Sequence, residues 1–130
     1  MPVCVTRGSN TYGPYQYPEK LVPRFVSRIL EGETIPLYGD GSNRRDWLDV
    51  DDHCRGIALV AEHGRSGEVY HIGGGTELSN RNLTVLLLAR LGADWSSVEH
   101  VPDRPGQDFR YALGIGKAVA ELGYRPRVPF

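Results

Sequence analysis

Residues 44–72 have the sequence RRDWLDVDDHCRGIALVAEHGRSGEVYHI, and their hydrophobic pattern changes period twice. Residues 44–50 alternate as a strand does, and residues 68–72 form a second β-rich run. Between them, residues 51–62 place apolar side chains three and four positions apart, which predicts a helix. The apolar stripe expected on this helix comprises Cys54, Ile57, Ala58 and Ala61. A strand, a helix and a second strand in succession predict an α/β fold with at least partly parallel pairing.

The same patterns predict further elements on both sides of this stretch. Apolar residues at helical spacing from Leu21 predict a helix that Gly32 ends as a C-terminal cap, and Ser79 is the expected N-cap of another helix. The apolar stripes expected on the last two helices are Leu83, Leu86, Leu87 and Leu91, and then Ile115, Ala118, Val119 and Leu122. Short strands are expected at 35–38 and 98–101.

The first residues, 2–6, form an apolar, β-rich run that is typical of a parallel strand buried on both faces. Such a strand needs neighbours, so we expect the chain to be part of a longer protein. The alternative is an edge strand that pairs with something later in this chain.

Composition limits the classes of protein that this chain can represent. With 130 residues it is long enough for one domain and too short for two. The net charge of −1 provides no general attraction to nucleic acid or to a membrane surface. The longest apolar run is far shorter than the roughly 20 residues of a membrane span. Cys4 and Cys54 form no Cys-x-x-Cys pair, which favours a reduced, cytoplasmic compartment.

Four polar stretches carry more hydrogen-bond donors with fixed geometry than a scaffold needs. They are RGSNTYGPY (7–15), YGDGSNRRDW (38–47), HIGGG (71–75) and DRPGQDFRY (103–111). Three of them contain arginine, whose planar guanidinium can bind two phosphate oxygens at once. The stretches therefore predict a site for a phosphorylated, polyhydroxylated small molecule. We expect Arg45 and Arg104 to converge on one pyrophosphate-sized cleft.

Each of these features also has an ordinary structural interpretation. Arg45 can pair with a neighbouring aspartate on the surface, and the loop at Arg104 can be a plain surface loop. Asp49, Asp51, Asp52 and His53 could bind a metal, but capping of the following helix already explains the carboxylates. The glycine run 73–75 lacks the Gly-x-Gly-x-x-Gly spacing and is expected to be a flexible connector. No general base can be assigned from the scattered histidines.

Taken together, these segments resemble the dTDP-glucose 4,6-dehydratase family, a branch of the extended short-chain dehydrogenases/reductases that act on sugar nucleotides. The matching segments cover nearly the whole chain in order: SNTYGPY (9–15), PEKL (18–21), PLYGDG (36–41), RDWL (45–48), DH (52–53), GEVY (67–70), IGG (72–74), DRPG (103–106) and RY (110–111). The resemblance implies the C-terminal part of a Rossmann-type enzyme with its small substrate-binding α/β subdomain. It implies a single nucleotide-sugar-binding domain over 1–130, without the N-terminal half that binds NAD.

The resemblance also implies roles for individual residues at matching positions. Substrate binding is assigned to Asn10, Lys20, Leu21, Pro36, Tyr38, Arg45, His71, Arg104, Gln107 and Tyr111. Of these, Pro36 and Tyr38 would flank the thymine, and Arg45 would bind the diphosphate. Thr11 would contact the cofactor NAD near the nicotinamide. At Thr11, His71 and Gln107 the family usually has Asn, Asn and His, and each replacement retains the ability to form hydrogen bonds.

The implied function is binding of a nucleotide-sugar, dTDP-glucose, within an NAD-dependent lyase whose full-length form is a homodimer. No catalytic residue is assigned, because the family's Tyr-x-x-x-Lys and acid pairs have no counterpart in this sequence. The isolated chain is therefore expected to be inert. Two alternatives remain: part of an NAD-dependent nucleotide-sugar epimerase or decarboxylase, and a stand-alone nucleotide-sugar-binding module.

Overall fold

The computed structural model describes residues 1–130, and it contains eight strands, four α-helices and one short 3-10 helix. The strands are β1 (Val5–Gly8), β2 (Asn10–Tyr12), β3 (Ile35–Tyr38), β4 (Arg44–Asp49), β5 (Val69–Ile72), β6 (Thr76–Ser79), β7 (Val98–Val101) and β8 (Arg110–Tyr111). The helices are α1 (Leu21–Leu30), α2 (Val50–His63), α3 (Asn80–Leu91) and α4 (Gly116–Leu122), and the 3-10 helix is Trp95–Ser97. None of these helices combines the length and the apolar character that crossing a bilayer requires.

The chain divides into two compact units. Unit 1 comprises Met1–Pro14, Arg45–Glu77 and Tyr111–Phe130, and unit 2 comprises Tyr15–Arg44 and Leu78–Arg110. The division falls inside β4, β6 and β8. That the whole of 1–130 acts as one nucleotide-sugar-binding domain stays a prediction.

Unit 1 is built on parallel strand pairs. β1 pairs with β5 in parallel, with Val5 opposite Val69, and β2 pairs with β4 in parallel, with Asn10 opposite Trp47. The second pair belongs to a sheet of order β2-β4-β6, in which β8 also pairs with β4. The buried core of the unit consists of Leu48, Val60, Tyr70, Ile72, Ala118, Leu122 and Tyr124. The predicted α/β fold with parallel pairing is confirmed.

Helix α2 is buried through a different face from the one that the sequence predicts. Its buried residues are Asp52, Gly56 and Val60. The predicted stripe is exposed: Cys54, Ile57, Ala58 and Ala61. Gly56 explains the difference, because a Cβ there would lie 2.5 Å from Ile72 and 3.0 Å from Tyr124. The helix backbone therefore lies against β5 at a distance that only glycine permits.

Unit 2 packs α1 and α3 beside a third parallel pair. β3 pairs with β7, with Ile35 opposite Val98. Phe25, Ile35 and Leu88 form the buried centre, and Gly32, with a φ of +74°, follows the end of α1 as predicted. The stripe predicted for α3 is partly wrong: Leu83 and Leu88 are buried, whereas Leu86 is 44% exposed. Because apolar residues occupy most sides of this helix, their spacing does not determine which face is buried.

Three short strands, β2, β6 and β8, lie where the sequence predicts loops or a connector. None of them exceeds four residues. β2 and β8 carry too few side chains to show an alternating pattern, and the pairing partners of all three strands are distant in sequence. They are extended because β4 offers backbone groups on both of its edges.

Candidate functional site

Unit 1 holds five of the predicted site residues, and the register of its strands determines their positions. They are Asn10, Thr11, Arg45, His71 and Tyr111. Asn10 lies opposite Trp47, two residues after Arg45 on the neighbouring strand. Thr11 follows opposite Leu48. His71 is half-buried in β5, opposite Arg7.

Thr11 is held by two polar neighbours. Its Oγ1 lies 2.9 Å from Nδ1 of His53 and 3.2 Å from the backbone oxygen of Ser9. His53 lies in the first turn of α2 and is half-buried. Burial lowers the pKa of His53, which favours the neutral imidazole. The residue predicted to contact the cofactor therefore has a fixed side chain.

The glycine run after β5 is tightly packed, so the prediction of a flexible connector is wrong. A Cβ on Gly74 would lie 1.7 Å from the backbone oxygen of Trp47, and a Cβ on Gly73 would lie 2.5 Å from Oδ2 of Asp46. The Asp46 carboxylate accepts hydrogen bonds from the amides of Gly74 and Thr76, both at 3.1 Å. Burial raises the pKa of Asp46 despite these bonds. The amides of Gly74 and Thr76 thus bind the run to Asp46 of β4.

The acidic residues around the start of α2 have structural roles. Asp49 accepts a hydrogen bond from the amide of Asp51 and caps the helix. Asp52, 2% exposed, accepts hydrogen bonds from the amides of Arg127 and Val128 and pairs with Arg55. Burial by itself would raise the pKa of Asp52, but these partners lower it. No group of three or more potential ligands is placed to hold a metal ion.

Tyr111 connects the end of β8 to the end of β1. Its hydroxyl donates to the backbone oxygen of Gly8 at 3.3 Å, and the residue is 37% exposed. Gly8 immediately precedes the segment that carries Asn10 and Thr11. The structure thus brings three predicted residues, Asn10, Thr11 and Tyr111, to one short stretch of backbone.

Unit 2 holds the other six predicted residues, and two of them are in direct contact. They are Lys20, Leu21, Pro36, Tyr38, Arg104 and Gln107. The guanidinium carbon of Arg104 lies 4.1 Å from the centre of the Tyr38 ring, and Nη2 donates to the Tyr38 hydroxyl at 2.7 Å. Gln107 donates to Asp103 at 2.5 Å, which ties the loop together. A ring and a cation placed this way suit a base next to a phosphate.

The remaining three residues of unit 2 lie on regular elements. Lys20 is the exposed N-cap residue of α1, and Pro36 is half-buried in β3 opposite Glu99. Leu21 packs against the core cluster around Phe25, so part of its side chain has a structural role. Convergence of Arg45 and Arg104 on one diphosphate stays a prediction, as do the individual roles of all eleven residues.

Sequence reasoning assigned no role to a hollow in unit 2. The hollow of unit 2 measures about 520 Å³ and is lined by Asp40, Ser42, Arg44, Ser79, Arg81, Asn82 and Phe109. Its signal in the sequence is the GDG turn at 39–41, followed by two arginines that a strand directs to opposite sides. Diphosphate binding was assigned to the second arginine, Arg45, and no role was assigned to Arg44.

Comparison with known proteins identifies relatives over the whole chain. Residues 1–73 match the model of the NAD dependent epimerase/dehydratase family. A dTDP-glucose 4,6-dehydratase of Streptomyces antibioticus is 62% identical over 128 residues, which cover 98% of this chain and 38% of that protein. The chain thus spans about two fifths of the length of the curated relatives that it matches.

Solved structures with the same fold carry ligands. The dTDP-glucose 4,6-dehydratase of Streptomyces venezuelae, with NAD and TYD bound, has a TM-score of 0.98 and 63% identity, and the match covers 100% of this chain and 40% of that one. The UDP-glucose 4-epimerase of Thermotoga maritima, with UDP-glucose, has a TM-score of 0.90 and 36% identity, with 97% and 41% covered. The resemblance to dTDP-glucose 4,6-dehydratases and the Rossmann-type fold of the extended short-chain dehydrogenases/reductases are confirmed.

Proposed function

Because this chain belongs to the NAD dependent epimerase/dehydratase family, we propose that it is the nucleotide-sugar-binding portion of a dTDP-glucose 4,6-dehydratase-like enzyme. One observation carries this proposal: a dehydratase that is 63% identical to this chain over the matched 40% of its own length, at a TM-score of 0.98, was solved with TYD and NAD. At this identity the chemistry of a binding surface is usually retained along with the fold. The proposal treats residues 1–130 as one binding domain.

In unit 2, the proposal assigns the base to β3 and the loop after β7. Tyr38 offers an aromatic ring, Pro36 a rigid apolar edge, and Arg104 a planar cation beside them. Lys20 and Leu21 at the start of α1 and Gln107 in the loop complete this set. Stacking and charge together suit a pyrimidine nucleotide better than a free sugar.

In unit 1, the proposal assigns the diphosphate to Arg45 and the sugar to the polar groups of the neighbouring strands. Asn10 and His71 supply hydrogen bonds to sugar hydroxyls, and Tyr111 closes over the nucleotide. Thr11 contacts NAD. The donor set fits that role, because a hydroxyl fixed between Ser9 and His53 is a defined polar contact for a carboxamide.

NAD would accept a hydride from C4 of the sugar and return it to C6 after water is eliminated across C5 and C6. This chain's residues would hold and orient the sugar nucleotide, which reduces the entropic part of the activation barrier. The hydride carrier, acid and base would come from an NAD-binding half. An open edge on β1 supports this, since β1 pairs only with β5, and Val3 and Val5 are about half exposed.

Calorimetry with the 130-residue chain tests the binding part of the proposal. We expect dTDP to bind more tightly than UDP, because the proposal assigns Pro36 and Tyr38 to the thymine, and uracil lacks its methyl group. Tighter binding of UDP would favour the epimerase alternative, which the Thermotoga maritima match supports. No binding of either nucleotide would overturn the proposal.

A turnover assay with dTDP-glucose and NAD tests the second part, and we expect the isolated chain to be inert. Turnover would show that the chain itself contains an acid, a base and a hydride site. The reading frame upstream separates an enzyme part from a stand-alone binding module: a Tyr-x-x-x-Lys pair preceded by Asp-Glu supports a dehydratase. The proposal places the complete enzyme in the cytoplasm. It also makes the enzyme a homodimer, which sedimentation of the longer protein would test.

A further inference from the structure

His53 is polar and half-buried, and its hydrogen bond connects helix α2 to strand β2. Its Nδ1 lies 2.9 Å from Oγ1 of Thr11, and the same Oγ1 lies 3.2 Å from the backbone oxygen of Ser9. A hydroxyl has one proton to donate, and a carbonyl oxygen can only accept. If the Thr11 hydroxyl donates to Ser9, then Nδ1 of His53 must carry a proton and donate to Thr11.

The other edge of the imidazole lies against Gly8. A Cβ built on Gly8 would be 2.6 Å from Nε2 and 2.7 Å from Cε1 of His53. The close approach of Gly8 to Nε2 therefore limits the room for a hydrogen-bond partner at that nitrogen. Burial also lowers the pKa of His53, in the direction that keeps one proton on the ring. Geometry and burial thus favour the same species, the neutral imidazole protonated at Nδ1.

The segment that His53 supports carries the predicted ligand residues. Gly8 lies against one edge of the ring, Thr11 is bonded to the other edge, and Asn10 lies between them. Tyr111 donates to the backbone oxygen of Gly8 at 3.3 Å. One imidazole therefore contacts both ends of the turn between β1 and β2.

We propose that His53 is a positioning residue: its neutral Nδ1–H tautomer fixes the Thr11 hydroxyl and holds the turn 8–11 in the shape that presents Asn10 to the nucleotide-sugar. This inference rests on the proposed function for its consequence in binding. The tautomer and its coupling to Thr11 are independent of that function. His53 acts through Thr11 and Gly8, and it contacts no ligand itself in this assignment.

Nitrogen-15 NMR of the histidine rings in the 130-residue chain tests the tautomer. We expect the His53 ring to show a protonated Nδ1 and a bare Nε2 near neutral pH. Thr11→Val, which removes the hydroxyl but keeps the shape, should shift the His53 ring towards the mixture of tautomers seen in exposed histidines. His63 is an exposed control on the same helix. A protonated Nε2, or a ring unaffected by Thr11→Val, would overturn the inference whether or not dTDP binds.

Calorimetry with dTDP tests the consequence. His53→Leu removes the donor and should weaken dTDP binding about fivefold, as the loss of one hydrogen bond does. His53→Asn places an amide N–H near the position of Nδ1 and should restore most of the affinity. In a Thr11→Val background, His53→Leu should add little. An equal loss of dTDP affinity in His53→Asn and His53→Leu would contradict the positioning role of His53. If His53→Leu does not fold, the comparison of His53→Asn with Thr11→Val still tests that role. If the native chain binds no dTDP, the proposed function fails while the NMR result stands by itself.

Discussion

Arg104 lies over the ring of Tyr38, with its guanidinium carbon 4.1 Å from the ring centre and Nη2 2.7 Å from the hydroxyl oxygen. The two residues are 66 positions apart and meet because β3 and β7 pair in parallel, with Tyr38 opposite Val101. A guanidinium on one face of the ring leaves a base two choices: the opposite face of the ring, or the guanidinium plane itself. In either case the pair acts as one stacking surface.

Replacing Arg104 should therefore weaken nucleotide binding. Arg104→Ala removes both the cation–π contact and the bond to the hydroxyl, and we expect dTDP affinity to fall by about 1 kcal/mol. Tyr38→Phe keeps the ring contact and should cost less. Isothermal titration calorimetry measures both, with Arg90→Ala as a control at an exposed arginine on α3. Equal affinity in the native and Arg104→Ala chains would show that this loop takes no part in binding.

Arg45 provides a second test, directed at the diphosphate. Arg45→Ala should weaken dTDP binding by about 1.5–3 kcal/mol, as the loss of a charge-assisted hydrogen bond does. Arg44→Ala is the matched control, because neighbouring side chains on a strand point to opposite faces. The difference in binding free energy between the native and Arg45→Ala chains should shrink when thymidine replaces dTDP in the titration, since thymidine lacks the diphosphate. A larger effect at Arg44 than at Arg45 would reverse the assignment of the two arginines.

Substitutions in the glycine run test how tightly the turn after β5 packs against β4. Gly74→Ala should destabilise the chain by about 3 kcal/mol or more, because its Cβ would overlap the backbone oxygen of Trp47. Gly75→Ala meets no atom within 4 Å but has a φ of +70°, so it should cost only about 1 kcal/mol. Gly114→Ala, with open space and no positive φ, should be neutral. Urea unfolding followed by circular dichroism measures this order, and a mild Gly74→Ala would contradict the tight packing.

The buried hydroxyl of Tyr124 should make the free energy of unfolding depend on pH in the alkaline range. Its side chain is fully buried and its hydroxyl donates to the backbone oxygen of Gly73 at 3.0 Å. Burial, with a contribution from Asp52, raises the pKa of Tyr124 from 10.0 to about 12. Between these values the unfolded chain has released the proton and the folded chain retains it, so stability should fall as pH rises.

Tyr124→Phe should flatten this part of the pH profile, while leaving some slope, because the pKa of Tyr12 is raised as well. The free energy of unfolding, measured by urea titration from pH 10 to pH 12, checks this. At neutral pH the same change should cost about 1 kcal/mol, because the oxygen of Gly73 loses its donor. An unchanged alkaline slope in Tyr124→Phe would show that this tyrosine does not control the transition.

The local structure around several candidate residues could be predicted from the sequence, because these residues stand in short segments with strong local signals. The turn GDG before Arg45, the DRPG loop that holds Arg104, and the Ser79 cap all lie where their local chemistry places them. His53 was missed as a partner of Thr11, since 42 positions separate the two residues. His53 lies at the start of α2, which follows β4, and β4 pairs in parallel with β2. The sequence alone does not show that pairing.

The sequence by itself determined the alternation of strands and helices, because period, capping residues and glycine positions are local properties of the backbone. The tertiary structure decided which face of each helix is buried. In α2 an apolar stripe lies exposed, while Asp52, Gly56 and Val60 turn inward, because close approach to Ile72 and Tyr124 requires a residue without a side chain. The glycine run after β5 shows the same dependence, since Asp46 and Trp47 leave no room for a side chain at Gly73 and Gly74. Local propensity acts over a few residues, whereas burial depends on which distant segment lies opposite.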